Sequence, residues 1–291
     1  MIIGVDNGYT YTKNSKGIIF PSKVREGEDL DINNVIRVEY QGRNYIVGEK
    51  ESNYTVDTNK ANDEKTLLNI ITSIGMSVSN KSNIKVMTGL PPLHYKAQKE
   101  TLKSNLIDRN FNIKINGDNK SFRISDADVF IQGAGPVFQN PTKYINSKTI
   151  VIDIGGLTVD VCYFEGLKLL KYRTYTLGML KLYSNVISQI NEKLELDLIV
   201  ADAEKILNEG IKIYGEQQDI TFLKPILDSH INNILTNIKL DFPLKTMDHI
   251  IQIGGGSICL NLDIPNAEIL PNSQFINAYC YEEIGKVRFD G

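Results

Sequence analysis

Asp153 ends an apolar, β-branched run, Thr149-Ile150-Val151-Ile152-Asp153. Ile154-Gly155-Gly156-Leu157-Thr158 follows, then an alternating strand through Phe164. Glycines reach backbone conformations closed to other residues and let N–H groups face outward, which makes a concavity for an anion. A carboxylate at the rim of such a cradle repels a bare phosphate. A divalent cation reverses that sign, because Mg²⁺ takes hard oxygen ligands and is commonly shared between carboxylates and phosphates. The pattern points to a metal–nucleotide site, although a strand closing on an acid and glycine is by itself also an ordinary tight turn.

The same arrangement opens the chain: Met1-Ile2-Ile3-Gly4-Val5-Asp6-Asn7-Gly8-Tyr9-Thr10-Tyr11-Thr12-Lys13 is a buried strand, an acid, a glycine and an alternating strand. A third relative, His249-Ile250-Ile251-Gln252-Ile253-Gly254-Gly255-Gly256-Ser257, lies near the end. Recurrence at long spacing indicates two related halves that face one another. Lys13 lies close enough to the first turn to reach a phosphate; a solvated strand-end lysine is the alternative.

The elements that must position these residues follow from periodicity. After the first two strands comes a turn at Asn14 to Gly17 and a strand at Ile18 to Phe20. Residues 25–34 are polar and acidic and read as a surface loop, and Val35 to Val47 reads as a hairpin about Gln41-Gly42. Leu67, Leu68, Ile71 and Ile74 share one face of a helix running from Asn62 to Gly75. A short strand at Ile84 to Met87 leads through Thr88-Gly89-Leu90-Pro91-Pro92 into a helix carrying Leu93, Ala97, Leu102 and Leu106. Phe111 to Ile124 is a hairpin about Asn116-Gly117, and a further strand from Asp128 runs into Gln132-Gly133. In the second half, Gly178 opens a helix with the stripe Leu182, Val186, Ile187 and Ile190. Helices over about 202–208 and 220–240 follow, the latter stopped by Pro243. A last helix, 273–284, is the natural element to cross back to the first half. Each half is strand–turn–strand followed by helices and strands, an α/β pattern in two similar units with a cleft between them.

A chain of 291 residues lies where single cores stop growing, roughly 250–300 residues, so two domains are expected. The net charge of −3 gives no general attraction to nucleic acid or anionic membrane. No basic n-region precedes an apolar segment at the N-terminus, and no apolar run approaches the ~18 residues of a membrane span, so the expectation is a cytoplasmic protein. Cys162, Cys259 and Cys280 share no short spacing, and buried free thiols are expected. His94, His230 and His249 are equally scattered and mark no nucleophilic triad.

Two facing Asp-x-Gly hairpins, a later Gly-Gly-Gly and a two-domain α/β chain resemble the actin-like ATPases, the superfamily that includes the large heat-shock chaperones and the sugar kinases. Within it the chain looks like the plasmid-segregation actins of the ParM/StbA group, through Thr88-Gly89-Leu90-Pro91, the run Asp153 to Asp160, Val200-Ala201-Asp202-Ala203-Glu204-Lys205-Ile206-Leu207 and Ser273-Gln274-Phe275-Ile276-Asn277-Ala278. The resemblance covers nearly the whole chain. It implies a two-domain actin-like α/β fold, a duplicated ribonuclease H-like unit with the nucleotide cleft between domains. Domain I would be 1–147, with 273–291 crossing back to it, and domain II 148–272.

Carried over residue by residue, the resemblance implies a first phosphate loop of Asp6, Asn7, Gly8, Tyr9, Thr10 and Lys13. The second comprises Asp153, Gly155, Gly156, Leu157, Thr158 and Asp160. Mg²⁺ would lie near Asp6 and Asp153, held largely through waters. Gly254, Gly255, Gly256 and Ser257 would line the adenosine pocket, with Glu204 and Lys205 approaching the ribose; a solvated helix face is the alternative for those two. Gln132 is the candidate to orient the attacking water, where some plasmid actins carry glutamate, so orientation rather than proton removal is its expected role. Asp160 is either a helper in hydrolysis or a strand-surface carboxylate. Tyr279-Cys280 departs from the glycine that relatives often have after Asn277.

The implied function is a filament-forming ATPase, using Mg-ATP or GTP, that segregates plasmids through a DNA-binding adaptor protein without itself touching nucleic acid or membrane. A small-molecule kinase of the same fold, with Asp160 as its only tempting base, and a non-polymerising nucleotide switch are the alternatives.

Overall fold

A computed structural model of the protein describes residues 1–28, 35–49 and 59–290. The chain starts with the meander β1 (Ile2–Asn7), β2 (Tyr11–Asn14) and β3 (Ile19–Pro21), then β4 (Val24–Glu26), β5 (Ile36–Tyr40) and β6 (Arg43–Val47). Helix α1 (Glu64–Gly75) leads to β7 (Ser82–Leu90), α2 (Pro92–Leu106), β8 (Arg109–Ile115) and β9 (Asp118–Ile131). Two short helices, α3 (Gly135–Gln139) and α4 (Pro141–Tyr144), close this half. Its nine strands form one sheet in the order β3-β2-β1-β7-β9-β8-β5-β6-β4.

A second meander follows: β10 (Lys148–Ile154), β11 (Val159–Glu165) and β12 (Lys168–Tyr175). Then come α5 (Met179–Leu194), α6 (Ala203–Glu209), the small hairpin β13 (Lys212–Ile213) and β14 (Glu216–Gln217), and α7 (Lys224–Asp241). The chain ends with β15 (His249–Ile253), α8 (Gly256–Cys259), β16 (Ala267–Ile269) and α9 (Ile276–Asp290). The main sheet of this half runs β12-β11-β10-β15-β16.

The duplication lies in the pairing. β1 is antiparallel to β2 and parallel to β7, and β10 is antiparallel to β11 and parallel to β15. The order β3-β2-β1-β7-β9 thus recurs as β12-β11-β10-β15-β16. Central strands β1 and β10 are buried along almost their whole length, as their continuous Ile/Val runs require for strands covered on both faces. Each carries its acid one residue before its end, so the fold delivers Asp6 and Asp153 to equivalent places.

Local signals account for most elements. Asp63 caps α1 by accepting from the Lys65 N–H at 3.1 Å, and Leu68, Ile71 and Ile74 form its buried face. The predicted stripe of α5 is buried throughout, and Gly210 ends α6. Several expectations are corrected. Leu93 and Ala97 of α2 are exposed, because that helix buries only Pro92 at its start and Leu102 and Leu106 toward its end. β7 continues through Thr88-Gly89-Leu90, and β9 runs unbroken to Ile131, because parallel pairing from Ser82↔Phe122 to Leu90↔Ile131 holds both strands extended. Residues 24–26, on the margin of the expected loop, pair with β6; residues 29–34 lie outside the described residues. The last helix starts at Ile276, not Ser273, and continues to Asp290.

Helix α9 packs against β1, β7 and α3. It comes so close that a Cβ at Gly4 would overlap the Ala278 carbonyl, and one at Gly89 would overlap the Tyr281 hydroxyl. A third apolar cluster, including Val137, Val151, Ile253, Ile276 and Cys280, joins the two sheets at the base of the cleft. Among the described residues no helix is long and apolar enough to cross a membrane.

Candidate functional site

The two tight turns are built alike. In the β1–β2 turn Gly8 N–H donates to the Tyr11 carbonyl at 3.0 Å, and in the β10–β11 turn Gly155 N–H donates to the Thr158 carbonyl at 2.9 Å. They meet across a cleft of about 260 Å³. Thr10 of the first turn abuts Gly156 of the second so closely that a Cβ there would overlap the Thr10 side chain. Gly254 has φ +87°, and a side chain there would run into Asp153 Oδ1 and the Ile154 carbonyl. The glycines are therefore demanded by the approach of the two loops and of the acid to the chain after β15.

Asp6 and Asp153 are both buried at this cleft. Asp6 Oδ2 pairs with Lys13 Nζ at 3.0 Å, and its Oδ1 accepts from Gln132 Nε2 at 3.0 Å. Lys13 is thus a buried ion-pair partner rather than a solvated strand end. Asp153 Oδ2 accepts from Asn277 Nδ2 at 2.7 Å, and Asn277 Oδ1 accepts from the Gly133 N–H at 3.4 Å. Burial first, then the negative charge of Asp6, pushes the Asp153 carboxyl up to about 7. Asp160 is raised to about 6 by burial, against hydrogen bonds from Thr174 Oγ1 (2.5 Å) and Thr158 Oγ1 (3.0 Å) that favour its charged form.

Burial is the largest cause of both shifts, and a cation bound beside these carboxyls would favour their charged forms. Among the described residues no group of three or more His, Cys, Asp or Glu side chains could hold a metal by itself. The donor set fits Mg²⁺, which keeps several waters and takes one or two carboxylates together with phosphate oxygens. Asp6 and Asp153 are the residues that would hold it.

Of the sequence-predicted residues, Asp6, Gly8, Tyr9, Thr10, Lys13, Gln132, Asp153, Gly155, Gly156, Thr158, Asp160, Glu204 and Gly254 to Gly256 all line this one cleft. Glu204 comes from α6 and accepts a 2.9 Å hydrogen bond from the Tyr11 hydroxyl, a bridge from the second half to the first. Four predicted residues do not line it. The Asn7 side chain is turned inward and accepts from Thr12 Oγ1 at 2.7 Å. Ser257 is buried, donating to the Gly254 carbonyl at 2.8 Å with Ser273 Oγ at 3.1 Å from its own hydroxyl oxygen. Leu157 is also absent from the wall, and Lys205 is exposed outside it.

Sequence reasoning missed other residues. Asn277 lies in a segment quoted for the resemblance, but its bridge between Asp153 and Gly133 appears only when α9 crosses back. Met179, Tyr183, Ile258 and Gln274 also line the cleft. Lys60 is 4% exposed, and its Nζ donates to the Asn7 carbonyl at 2.5 Å and sits 4.0 Å from the centre of the Tyr9 ring. Burial lowers its pKa to about 8, against the opposing pull of Asp6 and Asp160. No local pattern around Lys60 marks it.

A family model described as the N-terminal domain of actin like proteins matches residues 4–135. A second, described as the C-terminal part of an archaeal actin homologue, MreB-like, matches residues 151–264. Among solved structures, the archaeal actin homolog Ta0583 in complex with ADP superposes with a TM-score of 0.85 at 20% identity, covering 99% of each chain. The ParM of a 15-stranded filament from Clostridium botulinum gives 0.80 at 24% identity, over 98% of this chain and 99% of that one. The actin-like protein Alp7A gives 0.77 at 16%, over 99% and 96%. No curated protein sequence gives a significant match. At these identities the likeness to the solved structures is one of fold, the two-domain α/β architecture expected from the sequence.

Proposed function

This chain belongs to the actin-like superfamily, and from that premise we propose that it is a nucleoside triphosphatase that assembles into filaments and segregates plasmids. One observation carries the enzyme reading: two acid–glycine turns, one from each half, enclose a single cleft with buried Asp6 and Asp153 on its walls. We take 1–147 with 273–291 as one domain and 148–272 as the other. The β- and γ-phosphates of ATP or GTP lie between the turns, and the adenosine or guanosine end lies along Gly254 to Gly256, Glu204 and Tyr183.

Bound Mg²⁺ would neutralise phosphate charge and relieve the repulsion between Asp6 and Asp153. The chain's own residues orient and stabilise, which is most of what phosphoryl transfer requires. Lys13 supplies a fixed positive charge beside Asp6. Gln132 donates its amide N–H to Asp6, which fixes the amide and leaves Oε1 free to accept a hydrogen bond from a water in line with the γ-phosphate. Asn277 holds Asp153 in place from α9.

Nucleotide that touches both halves biases how far they close, and closure sets the geometry offered to the next subunit. Filaments of this kind would move plasmids through a DNA-binding adaptor in the cytoplasm. The structure of a ParM filament among the similar folds supports the assembly reading. In the kinase alternative the base would be Asp160, which threonine hydroxyls hold through one hydrogen bond on each oxygen, leaving a further lone pair on each. Light scattering and phosphate release are to be followed together after adding Mg-ATP or Mg-GTP. A scattering rise with phosphate release is expected. No rise and no phosphate without an added alcohol substrate would favour the kinase, and slow phosphate release from a persistent monomer would favour the switch.

A further inference from the structure

Lys60 stands outside every motif, yet it lies directly behind the first turn. Its ammonium is buried, bonded to one backbone carbonyl at 2.5 Å and stacked on one ring face. No carboxylate of the described residues lies within the 4.0 Å of an ion pair with it. Burying a cation without a counter-ion is strongly unfavourable unless something compensates. The surroundings hold it there. Gln98 and Asn105 of α2 accept from and donate to the backbone of the neighbouring Ala61 at 3.2 and 2.7 Å, and so clamp the turn that carries Lys60. The charged or titratable groups that act on it are Asp6 on β1, Lys13 on β2, Asp63 at the start of α1, His94 on α2 and Asp160 on β11. Two of these, Asp6 and Asp160, belong to opposite walls of the cleft.

We propose that Lys60 is a further positioning residue of the phosphate site, a buried cation that fixes the first turn through the Asn7 carbonyl and Tyr9 and favours a nucleoside polyphosphate over a nucleoside. The proposal rests on the nucleotide reading of the cleft. The missing counter-charge is supplied by the phosphate chain, so the contribution of Lys60 grows with the number of phosphates. A lysine that only props the turn would affect all nucleotides alike.

Calorimetry on the full chain with adenosine, ADP and ATP, each with Mg²⁺, tests this in wild type, Lys60→Met and Lys60→Arg. Lys60→Met is expected to bind adenosine as wild type does, to lose about tenfold for ADP and more for ATP, as for a lost charge-assisted interaction. Lys60→Arg is expected to recover part of the loss. An unchanged ATP affinity in Lys60→Met, or an equal loss for all three ligands, overturns the proposal. Wild-type protein that binds neither these three nor guanosine, GDP and GTP would sink the nucleotide reading itself, a result separate from normal wild-type binding with an indifferent Lys60→Met. If Lys60→Met does not fold, Lys60→Gln, which keeps an N–H donor for the Asn7 carbonyl and removes the charge, is carried through the same series. A loss that grows from adenosine to ATP supports the role, and wild-type affinities or an equal loss for all three overturn it.

Discussion

On the proposed reading Gln132 and Asp153 have different roles in the cleft, and substitution separates them. Gln132→Ala removes an orienting amide and its hydrogen bond to Asp6 but leaves both carboxylates in place, so hydrolysis should slow by about 10²-fold with nucleotide affinity largely retained. Turnover at the wild-type rate would remove Gln132 from the mechanism. Asp153→Ala should instead abolish the Mg²⁺ dependence of nucleotide binding, and an unaltered dependence would count against it as a metal residue. The raised pKa of Asp153 has a second consequence. Its value of about 7 in the folded protein lies above the unfolded 3.8, so the folded state holds the extra proton between those values. In metal-free, nucleotide-free protein this group therefore contributes most stability at low pH and loses it as pH rises toward and through 7. Thermal melts of wild type and Asp153→Asn in chelator from pH 5 to 8 read this directly. The difference should grow in favour of the variant as pH rises, and parallel curves would refute the burial argument.

Helix α9 is the element that makes the site a single unit. It reaches the floor of the cleft with Asn277, and its close approach to β1 and β7 depends on Gly4 and Gly89. Tyr281 fills the space at Gly89 with a fully buried hydroxyl that has no hydrogen-bond partner among the described residues. Leaving such a group unpaired is unfavourable, so Tyr281→Phe should stabilise the fold by roughly 1 kcal/mol. Chemical denaturation measures this, and a loss of that size would show that the hydroxyl is satisfied after all. The opposite change, Gly89→Ala, should destabilise strongly because the tyrosine ring has nowhere to go. The two turns obey a similar constraint: Gly156→Ala collides with Thr10 and should separate them.

For the whole molecule, contacts between the two halves include the Tyr11–Glu204 bond, the Thr10–Gly156 contact, the Asn277–Asp153 bond and a shared apolar cluster. On the proposed reading, nucleotide held between the two turns draws the halves together. Small-angle scattering of protein kept dilute enough to stay monomeric should show a smaller radius of gyration with Mg-nucleotide than without. An identical radius in both states would argue that nucleotide does not act by closing the halves.

The sequence by itself determined the elements whose causes are local: the two acid–glycine turns, the capped α1, the apolar stripe of α5, the glycine stop of α6 and the repeat that implies two halves. Turn chemistry and side-chain periodicity act within a few residues, so they are written in the chain. Tertiary structure alone decided which way particular side chains face. Ser257 and Asn7 sit in the right loops, yet their polar atoms are taken up by neighbouring hydroxyls and carbonyls inside the fold. Leu93 keeps helical spacing but meets no partner sheet. Asn277 reaches the cleft from 144 residues beyond Gly133, and Lys60 reaches the back of the first turn from 53 beyond Asn7. Such contacts depend on where α9 crosses and where α2 clamps a turn, and no pattern of neighbouring residues encodes either.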